Sequence, residues 1–319
     1  MNKYEIGDIQ YSKSFTKSIT RILITQKYQI ISFALLFGLG LVLLYPMYFG
    51  VLGSLSTKAE FDQTVFLPIP KNPLSQISNY FAIFSQPGLI KALAVTMFRI
   101  YWGFAVGALT AVLGGYAFAK MNFPFRRTIF IFLLSTMMIP GVAMMIPGYI
   151  WMVKFPLIGG NDIFGVGGRG FIDNPLLYFV TGWVSTYNIF LFRQAFVGTG
   201  KELGESAQID GAKFLYIVFR IYLPLVKPLL VVLFLGSAFG AWNDYMTNLI
   251  MLPNRPEWNS IGYATIGLAD YYASTFNPGG ADFPKAYAIN VLMMFPPIIL
   301  FVFLQKQFVE GLSAGAIKG

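Results

Sequence analysis

Cysteine and histidine are both absent from the 319 residues. That excludes disulfides, thiol nucleophiles, Ser-His-Asp triads and metal sites built on His or Cys. Charge is scarce as well. Asp, Glu, Lys and Arg make up 12% of the chain, against about 25% in an ordinary soluble domain. So few ionised groups cannot cover a water-facing surface of normal size, and 14 Asp and Glu leave little room for carboxylate chemistry. Apolar residues are abundant, at 56% with 32 Phe, which is too apolar for a disordered chain. A polytopic membrane protein remains. In a soluble protein the net charge of +9 would point to nucleic acid. In a membrane protein basic cytoplasmic loops account for it, and no nucleic-acid partner is expected.

An ionised side chain is costly at the bilayer centre, so long charge-free windows mark candidate spans of about 20 residues. Such windows run between Lys27 and Lys58, Arg99 and Lys120, Arg127 and Lys154, Asp173 and Arg193, Lys227 and Asp244, and Lys285 and Lys306. The first predicts a span over 30–53, the second can start nearer Leu89, and Leu223-Pro224 starts the fifth. Six transmembrane helices in an all-α integral membrane protein are the expectation. Lys and Arg cluster in the N-terminal segment, in the connections between spans 2 and 3 and between 4 and 5, and in the tail. The positive-inside rule then places both termini in the cytoplasm. The basic N-terminal stretch is not a cleaved signal, because its apolar segment is too long and no small-residue cleavage site follows. The chain divides into a cytoplasmic segment 1–29, a membrane domain 30–308 and a cytoplasmic tail 309–319. Outer loops at about 54–88, 154–175 and 247–284 are rich in Pro, Gly, Asn and aromatics, which suits irregular structure. Pro140, Pro147, Pro296 and Pro297 fall inside spans and predict kinks.

The cytoplasmic connection between spans 4 and 5, over 199–223, is longer than joining two helices requires. Thr199 and Glu202 have the spacing of a capping box, a short helix through Gln208 follows, and Gly211 permits a sharp reversal. Phe214, Val218, Ile221 and Tyr222 then recur at helical spacing. The pattern fits an amphipathic helix resting on the membrane and a docking element for a cytoplasmic partner equally well.

Glu205-Ser-Ala-Gln-Ile-Asp-Gly211-Ala, followed by Phe219-Arg-Ile-Tyr-Leu-Pro224-Leu-Val-Lys-Pro228, resembles the EAA motif of permease subunits in bacterial binding-protein-dependent ABC importers. Ser206 stands where that family usually has Ala. The tail from Gln307 to Gly319 is similar to that of the second permease of maltose-type carbohydrate importers, and Trp242-Asn-Asp244 also fits. The likeness runs from about Leu89 onward.

The resemblance implies the type I ABC importer arrangement in the bacterial cytoplasmic (inner) membrane. It implies a second homologous permease, two cytoplasmic ATPases that bind ATP and Mg, an extracytoplasmic solute-binding protein and a carbohydrate substrate. This chain would carry no cofactor and no catalytic residue, consistent with the lack of a P-loop sequence. Glu205, Ser206, Ala207, Asp210, Gly211, Ala212, Leu223 and Pro224 would form the ATPase-coupling element. Glu205 would face a basic ATPase residue. Small side chains at Ser206 and Ala207 would allow close approach, and Asp210 would cap the next helix or pair with the ATPase. Gly311, Ser313 and Gly315 would thread a groove between ATPases, or else belong to a frayed end. Trp183, Tyr187, Asn188, Trp242, Asn243 and Asp244 have the aromatic, amide and carboxylate chemistry that contacts sugars, although Trp and Tyr also populate interfacial belts. Tyr263, Tyr271 and Tyr272 would meet the binding protein through a projecting outer loop. Rival functions are an ABC permease for a non-sugar solute, an ion-coupled secondary transporter and an intramembrane enzyme. The tail and the long last loop favour carbohydrate over the first, and the charge-free windows weigh against the other two.

Overall fold

The computed structural model describes residues 3–64, 66–182, 184–276 and 279–316, with side chains placed between 28 and 311. Among these residues the chain is helical, without strands. The principal elements are α1 (Lys3–Ser54), α2 (Leu89–Lys120), α3 (Arg126–Ser135), α4 (Met145–Val153), α5 (Thr186–Gly198), α6 (Glu202–Ile209), α7 (Pro228–Asn243), α8 (Ile261–Ala273) and α9 (Phe283–Ala316). Three segments are long and apolar enough to cross a membrane: Tyr28–Ser54, Leu89–Lys120 and Phe283–Gly311. Their outward faces are lipid-like, with Phe33 70% and Leu35 69% exposed. In a water-soluble fold such side chains would be inside. Backbone groups of a helix satisfy one another, which is what permits helices to span a bilayer.

Two further helix pairs are apolar enough to cross a membrane together and are sharply bent. Arg126–Met138 and Gly141–Val153 meet at 95°, and Phe214–Leu225 and Pro228–Asn243 meet at 88°. Pro140 sits in the first break and Pro228 opens the helix after the second. A proline lacks the N–H that continues a helix, and it disfavours helical backbone in the residue before it. Helix α7 therefore starts at Pro228, four residues beyond the Pro224 expected to open the fifth span. Pro296 and Pro297, by contrast, lie inside the continuous α9.

The expected continuous fourth span between Asp173 and Arg193 does not form. A single turn, Leu177–Val180, ends at Thr181, Gly182 takes a φ of +80°, and Ser185 caps the start of α5 by accepting from the Asn188 N–H at 3.3 Å. Only glycine enters that left-handed region readily. The 13 residues of α5 reach about 20 Å, short of a hydrocarbon core of about 30 Å.

The largest core ties α2, α5, α6 and α7 together through Ala111, Tyr116, Phe192, Phe196, Ala207, Val218, Tyr222 and Leu229. The α2–α5 crossing is very close. A Cβ at Gly115 would lie 2.6 Å from the Phe192 Cβ and 2.9 Å from the Arg193 backbone nitrogen. A second core joins Leu89, Trp242, Ile261 and Ile289. A third joins Phe171, Leu177, Tyr178 and Leu252 beneath the long loops.

The last long loop is not irregular throughout. It contains Met246–Met251 and the 13-residue α8, whose Ile261 and Thr265 are buried. Ser260 supplies the cap that starts α8, accepting from the Tyr263 N–H at 3.3 Å. The tail differs too. Helix α9 continues to Ala316, and Gly311 is packed so tightly that a Cβ there would lie 2.7 Å from Val232 Cγ2 and 2.8 Å from the Pro228 carbonyl oxygen.

Candidate functional site: a braced surface helix and a polar cavity

Two sites emerge. The first is α6 and its supports. Thr199 does not cap it: the Thr199 hydroxyl donates to the Phe196 carbonyl at 2.8 Å and closes α5. Lys201 precedes α6 and provides no side-chain cap. The Gly204 N–H donates to the Lys201 carbonyl at 3.0 Å and is shared with a distant side chain. Tyr222, only 1% exposed, places its hydroxyl so that it accepts from the Gly204 N–H at 3.1 Å and donates to the Gly200 carbonyl at 3.0 Å. Its ring packs edge-on against Tyr116 at 5.4 Å and Phe196 at 6.2 Å. Lys120 lies 5.1 Å from the same ring and bonds the Thr199 carbonyl. The ends of α2 and α5 and the turn that carries Tyr222 therefore grip α6 together. Tyr222 itself lies in a π-helical turn, Ile217–Tyr222, a local widening that is frequent at functional positions.

Gly204 and Ala207 are the buried side of α6, and Leu203, Glu205, Ser206, Ile209 and Asp210 are exposed. Ile209 is 87% exposed. The helix stops where Gly211 adopts φ +81°, with the Ala212 N–H donating back to the Ala207 carbonyl at 2.9 Å. Two expectations change. Ala207 is only 9% exposed and packs on its own chain, so its smallness serves that packing. Asp210 ends α6, and Lys213, not Asp210, precedes the next turn. Ala212 and Leu223 are half-buried against the same core, Pro224 is exposed, and Phe214 is exposed rather than part of the buried stripe.

The second site is a cavity of about 640 Å³ bounded by α2, the 177–181 turn, α5, α7 and α9. Its polar wall contains Arg99, Tyr178, Thr181, Tyr187, Asn188, Ser237 and Thr247. Arg99 is an ion-pair partner of Asp244, with side chains 13% and 20% exposed. The Thr247 N–H donates to Asp244 Oδ1 at 3.1 Å, and the Arg99 guanidinium stacks 4.3 Å from the Tyr178 ring centre. The Tyr178 hydroxyl donates to Asn248 Oδ1 at 2.9 Å. Asn248, fully buried, in turn donates to the Trp258 carbonyl at 3.0 Å. Arg99, Tyr178 and Thr247 bring this polar knot to the cavity wall.

Of the residues that the sequence suggests for sugar contact, Tyr187 and Asn188 line the cavity and Asp244 stands behind it. Trp242 does not line it. It is a core residue whose Nε1 donates to the Met293 carbonyl at 3.0 Å. Asn243 is exposed and donates to the Phe239 carbonyl at 2.9 Å. Trp183 lies outside the described residues, as does the side chain of Ser313, and the Gly315 backbone belongs to α9. At the far end of the long loop Tyr271 is exposed, whereas Tyr263 and Tyr272 are half-buried and the Tyr272 hydroxyl accepts from Gln86 Nε2 at 3.2 Å. Sequence reasoning assigned no site role to Arg99, Tyr178 or Tyr222. The available signal for Arg99 was its sign: it and Asp244 are opposite charges at the edges of two apolar windows.

A helical membrane fold with two sharply bent apolar helix pairs and a short, gripped helix before α7 defines a class. Residues 103–313 match the family described as binding-protein-dependent transport system inner membrane component, and the chain belongs to that family. It is 29% identical over 291 residues to the arabinooligosaccharides transport system permease protein AraQ of Bacillus subtilis, covering 88% of this chain and 92% of that one. It is 32% identical over 207 residues to the maltodextrin transport system permease protein MdxG of the same organism, covering 65% and 68%. A crystal structure of a bacterial ABC transporter involved in the import of the acidic polysaccharide alginate contains a chain with the same fold. The TM-score is 0.73 at 26% identity, over 89% of this chain and 97% of that one.

Proposed function

We propose that the chain is one membrane-spanning subunit of an ATP-driven carbohydrate importer. With a second permease it forms the pathway for a saccharide delivered by an extracytoplasmic binding protein, and two cytoplasmic ATPases supply the energy. Six passes with both termini in the cytoplasm fit the distribution of Lys and Arg, with the broken 173–193 region crossing as a pair of short helices. The bacterial inner membrane is the location this reading requires.

The observation that carries the coupling part is the asymmetry of α6. Its inner side is fixed by Gly204, Ala207 and the Tyr222 hydroxyl, and its outer side presents Leu203 and Ile209 beside Glu205 and Asp210. An exposed ion pair contributes only about 0–1 kcal/mol, so an ATPase groove would be held mainly by the apolar residues, with Glu205 setting orientation. ATP-driven closure of the ATPases would move α6 as a lever, and the grip of α2, α5 and Tyr222 would carry the movement to the walls of the cavity. Gly311 packs on α7 in its own chain, so any ATPase contact by the tail rests on residues beyond it. Tyr271 and the exposed Phe276 are the outer-loop groups available to a docked binding protein.

Thiol labelling of single cysteines tests the arrangement. Positions 124 and 205 should react only from the cytoplasm, and the exposed positions 164 and 276 only from outside. Labelling of position 205 in intact cells would overturn both the topology and the coupling role.

A further inference from the structure

Among the described residues the ion pairs are Arg99–Asp244, Arg255–Glu257 and Lys285–Asp282. None involves Arg126, Arg127 or Arg193, which meet where α3 begins beside α5. The Arg193 guanidinium lies 4.2 Å from the centre of the Phe130 ring, and Phe130 is one helical turn along α3 from Arg126. The two guanidiniums are neighbours, and their like charges act on one another. Both are held in place. Arg126 Nη1 donates to the Met121 carbonyl at 2.6 Å and to Asn122 Oδ1 at 3.2 Å, and Arg193 Nη1 donates to Gln194 Oε1 at 3.2 Å. Both also keep donors in reserve. Arg126 Nε and Nη2 and Arg193 Nη2 make no bond within the chain, and they are open to the surface, unlike the sealed Arg193 Nε. On a loose basic loop two such cations would part in water. Fixed side by side and half-buried, without a carboxylate, they repel one another, and an anion between them removes that cost. The adjoining surface is apolar. Phe125, Ile129 and Phe132 are exposed at i, i+4 and i+7, a stripe along α3. Phe125 takes a φ of +58°, a left-handed backbone that a bulky residue adopts only at a cost, and its ring is 77% exposed.

We infer that Arg126 and Arg193, with the exposed Arg127 at the rim, bind the phosphate of an anionic glycerophospholipid whose acyl chain lies along Phe125, Ile129 and Phe132. The guanidinium fork matches phosphate oxygens, and basic pockets between membrane helices are suited to lipid headgroups. A free phosphate would satisfy the arginines and leave the apolar stripe uncovered, whereas a lipid serves both. Selectivity follows from charge. A zwitterionic lipid brings the same phosphate, but its ammonium meets three cations and no carboxylate. An anionic lipid has no such group. The site also bears on α6. The backbone of Arg193 is packed against Gly115 of α2, and the end of α5 at Thr199 is held by Lys120. A lipid that ties α3 to α5 therefore steadies one of the supports of α6. The inference requires the membrane reading and is independent of the transported solute.

The test is photo-crosslinking of the purified importer complex in phosphatidylethanolamine nanodiscs. Two probe lipids carry the same diazirine acyl chain, one as phosphatidylglycerol and one as phosphatidylcholine, and mass spectrometry reads the label on residues 123–135. In wild type phosphatidylglycerol should label this segment at least about tenfold more than phosphatidylcholine. Arg126→Gln with Arg193→Gln should bring the two probes within about twofold. Arg126→Gln alone leaves the Arg193–Phe130 contact in place and should lower phosphatidylglycerol labelling about fivefold, which keeps the test decisive if the double variant fails to assemble. Lys213→Gln with Arg220→Gln removes the same charge from another exposed part of the chain and should leave the preference intact, as should excess inorganic phosphate. Equal labelling by both probes in wild type, or an unchanged preference in Arg126→Gln, would overturn the site. An equal loss in Lys213→Gln with Arg220→Gln would show the general field of a basic face in place of a site. Displacement of the lipid label by inorganic phosphate would show a site for the soluble ion and would equally overturn the inference.

Discussion

Replacing Tyr222 with Phe removes one oxygen and keeps the ring that packs on Tyr116 and Phe196. The change deprives the Gly204 N–H and the Gly200 carbonyl of the hydroxyl they share. The Gly204 N–H also donates to the Lys201 carbonyl at 3.0 Å, so the change does not strand it. It is also sterically shut in, since a Cβ at Gly204 would sit 2.8 Å from the Tyr222 oxygen. An ordinary hydrogen bond contributes about 0.5–1.5 kcal/mol. A loss of about 1 kcal/mol in the docking of α6 is therefore expected, or about fivefold in its opening equilibrium. Amide hydrogen exchange over 202–211 in the purified protein reads this quantity. Protection there should fall by about fivefold, while that of the α2 segment around Val112 stays unchanged. Wild-type protection over 202–211 would refute the reasoning, and uniform loss across the chain would show that Tyr222 supports the whole fold and not α6 in particular.

Gly115→Ala drives a methyl group into the α5 backbone and should cost about 1–3 kcal/mol, seen as a lower midpoint in thermal unfolding, whereas Gly114→Ala, which meets only Ile189 at 3.3 Å, should cost less. Gly311→Val should separate the end of α9 from Pro228 and Val232, read as faster exchange after 305 with the rest intact. The clip between loops offers a pH test. Asp173 accepts from the Asn254 side chain and backbone N–H, both at 2.9 Å, and these bonds hold its carboxyl below the ordinary value of 3.8. A depressed folded value means that its contribution is complete above the ordinary value and is lost as pH falls through the lower folded one. Exchange protection near Asn254 should be constant from neutral pH down to about 5 and decline only below about 4. In Asp173→Asn that decline should vanish.

The three long apolar segments were legible because charge exclusion is a property of composition along the chain. The start of α2 at Leu89, the reversal at Gly211 and the short helix before it followed from the same local chemistry. The breaks were less so. Pro140 announced a kink but not an angle of 95°, because the angle depends on what each half packs against. The loss of the fourth span turned on Gly182 and Ser185, whose signals were outweighed by an uncharged window. Thr199 had capping-box spacing, yet its hydroxyl closes the preceding helix, and the cap for α6 comes from Tyr222, 18 residues beyond Gly204. Such a contact exists only after the connection has folded back. The Arg99–Asp244 pair spans 145 residues and is likewise tertiary. Trp242 had the right chemistry for sugar contact, but its position on α7 turns it into the core beside Ile261 and Ile289.

The claim that an ATPase drives this chain through the exposed side of α6 is tested most directly by Ile209→Glu and Ser206→Trp. Both alter that side without touching the buried Gly204 and Ala207. The measurement is saccharide uptake, together with binding-protein-stimulated ATP hydrolysis, by the complete importer in proteoliposomes. Burial of one large aliphatic side chain contributes about 1.5–3 kcal/mol. Both activities should therefore fall by at least about tenfold, with insertion and pairing to the second permease at wild-type levels. Uptake and stimulated hydrolysis at the wild-type rate in both variants would contradict the account.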